Sequence, residues 1–189
     1  KIVLNGREAC EKSLNWTIHG FALTKTSLLM DEVFPEDAYD SDEFITRKLF
    51  LKSNKVVFCE GIFYYRQDNF NAITKTFSKK NFYTLNTLLK LFELLKENNF
   101  DKSLVFNAQY LLLSSYLQLS VKFQVCDFAT KIEKEETALY LLDFRKTVLT
   151  NSFCFFNFFY AMISFKLKYI LLLIIFKTPV LYDLAVKKY

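Results

Sequence analysis

Three glycines and two prolines in 189 residues leave this chain few places to turn sharply. Tight turns draw on glycine for left-handed backbone and on proline for a preset φ. A sandwich of short strands needs turn signals at roughly ten-residue intervals. A chain so poor in both residues is expected to be built from helices joined by polar loops. Hydrophobic residues make up 52% of it, 22 of them Phe, enough to line a core.

Periodicity places the elements. Residues 7–14 read as the end of a short helix, 16–23 as a strand or extended segment, and 25–30 as one or two helical turns. An acidic loop over 31–39 leads to a helix over 41–52. Lys55-Val56-Val57-Phe58-Cys59 reads as a β-branched strand and 62–66 as a second extended piece. Residues 79–97 place Phe82, Leu85, Leu88, Leu89, Phe92 and Leu95 on one helical side. Asn98-Asn99 breaks that helix, and two more follow over 101–125 and 131–149.

The net charge of +5 is unevenly spread. Residues 31–43 hold seven acids, whereas the chain from Ser152 onward holds five Lys and one acid, Asp183. The basic residues form no clustered stripe, so nucleic acid is not an expected partner. Cys10, Cys59, Cys126 and Cys154 are scattered, and His19 is the single histidine, a poor set for zinc. Unpatterned cysteines fit a reducing compartment; the Asn15-Trp16-Thr17 sequon is read as chance. The chain opens with Lys1 and runs straight into Ile2-Val3-Leu4, which is expected of a piece of a larger protein.

The densest chemistry lies in Asp40-Ser41-Asp42-Glu43-Phe44-Ile45-Thr46-Arg47. Asp40 is placed to cap the helix, with Glu43 at capping-box spacing. Glu43 and Arg47 form an i,i+4 pair. An acid in a first turn adds a few tenths to about 1 kcal/mol without any catalysis, so a purely structural role stays open. Further on come Tyr64-Tyr65-Arg66-Gln67 and a polar loop over 68–76. Upstream lies Trp16-Thr17-Ile18-His19-Gly20-Phe21-Ala22.

Together these segments resemble the acceptor-side half of an inverting family 2 glycosyltransferase with the GT-A fold, over residues 1 to about 100 and most specifically over 39–76. Ser41 stands where the family usually has glutamate. The Asp-Ser-Asp-Glu-Phe form resembles a variant among bacterial polysaccharide-building members. The resemblance implies Asp42 as the catalytic base, supported by Glu43 and Asp40. It implies Arg66 and Gln67 at the donor diphosphate, where a guanidinium suits the charge. It implies Trp16, His19 and Gly20 at the acceptor, with the loop over 68–76 as a lid. Plainer roles remain for each: Arg66 paired to an acid of 31–43, His19 and Trp16 as packed or surface residues, Tyr64 and Tyr65 as wall. The family's nucleotide-sugar donor site and its Asp-x-Asp ligands for a divalent metal, Mg or Mn, are implied upstream of Lys1, with no metal ligands in this chain.

The expected fold class is therefore α/β, the C-terminal half of a GT-A fold, mostly helical with two or three short strands. The expected division is an acceptor-side part over 1–78, a helical extension over 79–150 and an apolar basic tail over 151–189. The tail's apolar runs are broken by Lys166 and Lys168, too short to span a bilayer. It is expected to lie in a membrane interface on the cytoplasmic face of the plasma membrane, near a glycan or lipid-linked acceptor. A helix packed on the other helices is the alternative. At the level of function, the rival is a non-catalytic helical adaptor.

Overall fold

A computed structural model describes residues 2–19, 21–62, 64, 68, 77–150 and 167–187. The chain divides into two compact units, residues 1–94 and 95–189.

In the first unit, β1 (Val3–Leu4) pairs antiparallel with β2 (Val56–Val57), Val3 opposite Val57 and Leu4 opposite Val56. Helix α1 (Gly6–Leu14) starts from a capping box: Asn5 Oδ1 accepts from the Glu8 amide at 2.9 Å, and Glu8 reaches back to the Asn5 amide at 2.9 Å. Such a cap contributes about 1 kcal/mol. The single turn α2 (Thr26–Leu29) precedes the acidic loop, and α3 (Ser41–Lys52) packs on α1. Their contact is close enough to require glycine. A Cβ on Gly6 would stand 2.1 Å from the Phe50 carbonyl oxygen and 2.4 Å from that of Ser53. Leu4, Ala9, Cys10, Ile45 and Phe50 are buried in this unit. Burial pushes the Cys10 thiol up to about 11, which removes it as a nucleophile at neutral pH.

Residues 79–97 are helical in two parts: a 3-10 turn (Lys79–Tyr83), then α4 (Thr84–Glu97). The acidic loop is laid along α4 by side chains. Asn86 Nδ2 donates to the Asp37 carbonyl at 2.6 Å, and Lys90 pairs with Asp37 at 3.4 Å. Phe82, Leu85 and Phe92 are buried, each adding about 1.5–3 kcal/mol of hydrophobic stabilisation.

In the second unit, Asn99 takes φ 51° and closes α4, with the Phe100 amide donating to the Leu95 carbonyl at 3.0 Å. That is the Schellman turn, with asparagine where glycine is usual. Helices α5 (Lys102–Val125) and α6 (Lys131–Thr150) follow. On α5 the buried Phe106, Gln109, Leu113, Tyr116 and Ser120 recur at three- and four-residue steps; on α6, Thr137, Leu141, Phe144 and Val148 do the same. These are two matching helical faces. Helices α7 (Leu167–Lys177) and α8 (Pro179–Lys187) pack on α5. Pro179 opens α8 at the one helical position where a missing N–H is harmless.

The described residues are thus mostly helical with a two-stranded sheet, a mixed α/β class in that coarse sense. Two readings need correction. Residues 16–19 are a turn and 21–25 an irregular segment, not a strand. The strand expected over 55–59 shrinks to Val56–Val57, because β1 offers it only two partners.

Candidate functional site

The site grows from the end of α1. The Thr17 amide donates to the Lys12 carbonyl at 3.1 Å and the Trp16 amide to that of Ser13 at 3.2 Å. This is a second Schellman turn. Its left-handed position is filled by tryptophan, Trp16 at φ 61°. Such a conformation costs a bulky residue roughly 1–3 kcal/mol. Asn15 secures the turn, its Oδ1 accepting from the Thr17 amide at 3.1 Å and the Thr17 hydroxyl at 2.6 Å.

The turn throws Trp16 outward, with 58% of its surface exposed. His19 meets it edge-on at 5.3 Å between ring centroids, and Phe21 stacks on His19 at 6.0 Å. The three rings form an exposed aromatic ladder. Arg47 lies under its first ring, 5.8 Å from the Trp16 centroid.

Arg47 connects this ladder to α3. Its Nη2 donates to the Ser13 carbonyl at 2.8 Å and its Nη1 to the Glu43 carbonyl at 2.9 Å. Nη1 also pairs with the Glu43 carboxylate. The guanidinium is buried, and its Nε faces no acceptor among the described residues. The Ser13 carbonyl belongs to the last turn of α1, so the arginine satisfies one of that helix's orphan acceptors.

The three acids part company. Glu43 is held by Arg47 instead of closing a capping box. Asp40 is not the side-chain cap of α3; its Oδ2 accepts from the Thr84 hydroxyl at 2.8 Å, at the head of α4. Its Oδ1 is enclosed with no donor among the described residues. Both expected capping bonds therefore yield to other contacts. Asp42 is exposed on the first turn of α3, where the helix dipole favours an anion. A fourth acid, Glu32, is buried and paired with Lys48 at 2.8 Å and with Lys52. Burial acts to raise its pKa, but the two lysines outweigh it and hold the carboxyl below the ordinary 4.5.

The structure thus joins Trp16, His19 and Glu43 through Arg47, and sets Asp42 one residue before Glu43. Gly20, Arg66 and Gln67 lie outside the described residues, as does most of the loop over 68–76; Tyr64 is exposed. Sequence reasoning missed Phe21 and the bridging role of Arg47. A charged residue between Ile45 and Phe50 on a buried face was the available signal. Among the described residues no group of three or more His, Cys, Asp or Glu side chains is placed to hold a metal ion. No family model, curated protein or solved structure matches this chain.

Proposed function

We propose that this chain carries the acceptor side of an inverting glycosyl transfer of the family 2, GT-A type. In that reaction a sugar passes from a nucleotide-sugar to a glycan or lipid-linked acceptor. The observation that carries the reading is the exposed Trp16–His19–Phe21 ladder, tied through Arg47 to the helix that bears Asp42. Aromatic faces stack on the C–H faces of sugar rings. A tryptophan kept outside, in a strained conformation that any glycine would relieve, is more readily explained by a ligand than by packing.

Asp42 is the base in this account. It removes the acceptor hydroxyl's proton as that oxygen attacks the anomeric carbon from the face opposite the leaving diphosphate. Glu43 and Asp40 hold Arg47 and Thr84, so their part is to position α3. The steps assigned to this chain are proton removal and acceptor placement. The donor and its divalent ion belong to other segments. In protein that also carries a donor-binding half, Asp42→Asn is expected to lower turnover by about 10²–10⁴-fold with folding intact; unchanged turnover removes Asp42 as base.

The commitment of Asp40 and Glu43 to structural contacts also favours a second reading, a non-catalytic helical adaptor. Under it the ladder binds a ligand without turning it over. Ligand binding that persists while Asp42→Asn changes nothing selects that reading.

A further inference from the structure

We propose that the outer face of α7 and α8 docks on an anionic lipid surface. This does not depend on the glycosyl-transfer reading, since the face lies outside the candidate site.

Helix α7 has two unlike sides. Leu173 and Phe176 are 2% and 0% exposed, whereas Leu167, Leu171 and Ile174 are 73%, 59% and 43% exposed. The exposed three are spaced i, i+4, i+7 and share an arc of about 60° at 100° per residue. Lys168 falls on one side of that stripe and Lys177 on the other, both at the solvent. On α8, Val180, Leu181 and Leu184 are exposed while Val186 is buried. Two successive helices therefore present leucine, isoleucine and valine outward, with lysines along the margin.

The buried side explains how such a face stays in place. Arg145 on α6 donates from Nε and Nη2 to the Phe176 carbonyl at 3.2 and 2.8 Å, and its guanidinium lies 4.0 Å from the Tyr182 ring centroid. Tyr182 donates to the Ser120 hydroxyl at 3.0 Å. The pair is pinned on α5 and α6 by its other side, so the apolar stripe is presented without unfolding.

Charge selects the occupant. From Ser152 onward there are five Lys and one acid, and Lys168 and Lys177 stand where interfacial helices carry cations toward headgroup phosphates. Protein interfaces tend to deplete lysine around their apolar centre. No helix among the described residues is long and apolar enough to cross a membrane, so the contact is along the surface.

The test is co-sedimentation of the full chain with phosphatidylcholine vesicles, with and without phosphatidylglycerol. Binding is expected to the anionic vesicles, weakened but retained in high salt. Leu171→Glu with Ile174→Glu is expected to weaken it by about tenfold or more while the circular dichroism spectrum stays that of the parent. Lys168→Glu, which leaves the apolar stripe intact, is expected to lower affinity only for the anionic vesicles. Failure of the parent chain to bind either vesicle overturns the proposal. So does a double variant that binds as the parent does. A concentration-dependent dimer that the double variant abolishes, without vesicle binding, assigns the face to a second copy of the chain instead.

Discussion

Trp16 and Gly6 occupy each other's expected places. Where α1 ends in left-handed backbone, the chain has a tryptophan; where α1 begins against the carbonyls of α3, it has a glycine. Gly6→Ala therefore drives a methyl into the Phe50 and Ser53 carbonyl oxygens, both backbone atoms. It is expected to destabilise by about 1–3 kcal/mol, read as a shift of the urea midpoint. Trp16→Gly acts in the other direction. It relieves roughly 1 kcal/mol of backbone strain and forfeits a cation–π contact of about 0.5–1 kcal/mol. The two nearly cancel, so the melting temperature is expected to hold while glycan binding falls. A large loss of stability would instead make Trp16 a packing residue and remove the main support for the site.

Helix α3 shows what an element needs beyond its own sequence. Its bounds were legible from Asp40 through Lys52, because acids open it and lysines close it as the helix dipole favours. Its partners were not. Asp40 binds Thr84, 44 residues away, and Arg47 binds Ser13, 34 residues away. No local pattern carries such contacts. The lengths of α5 and α6 were legible because their buried faces repeat at helical spacing. The turn at Trp16 was not, since sequence reading looks there for glycine. Glu32 ties the acidic loop to the far half of α3 through Lys48 and Lys52. Its folded pKa lies below the ordinary 4.5, so this stabilisation is full above about that pH and fades as pH falls through the lower folded value. Glu32→Gln is expected to flatten the acid limb of the stability profile, measured by urea titration from neutral to acid pH. An unchanged limb contradicts the pairing.

At the scale of the whole molecule, each unit keeps one surface feature that its own core does not use: the aromatic ladder in residues 1–94, the apolar stripe in 95–189. In the second unit a polar network sets the stripe's orientation. Buried Tyr116 donates to the Leu141 carbonyl at 3.0 Å. Burial, with the Tyr182 hydroxyl beside it, pushes its phenol well above the ordinary range, so it remains a neutral donor. Arg145→Ala leaves the Phe176 carbonyl without its donor. It is expected to raise amide exchange across α7 and α8 about tenfold or more, given roughly 1.5–3 kcal/mol for a charged hydrogen bond, while α5 and α6 keep their protection. The central claim, that the ladder beside Asp42 receives a sugar, has a direct readout, because Trp16 is the only tryptophan in the chain. Its emission should be followed while oligosaccharides are titrated into the full chain. The account predicts a saturable shift with at least one pyranose oligosaccharide, weakened in His19→Ala. Emission that no glycan changes, in protein shown to be folded, contradicts it.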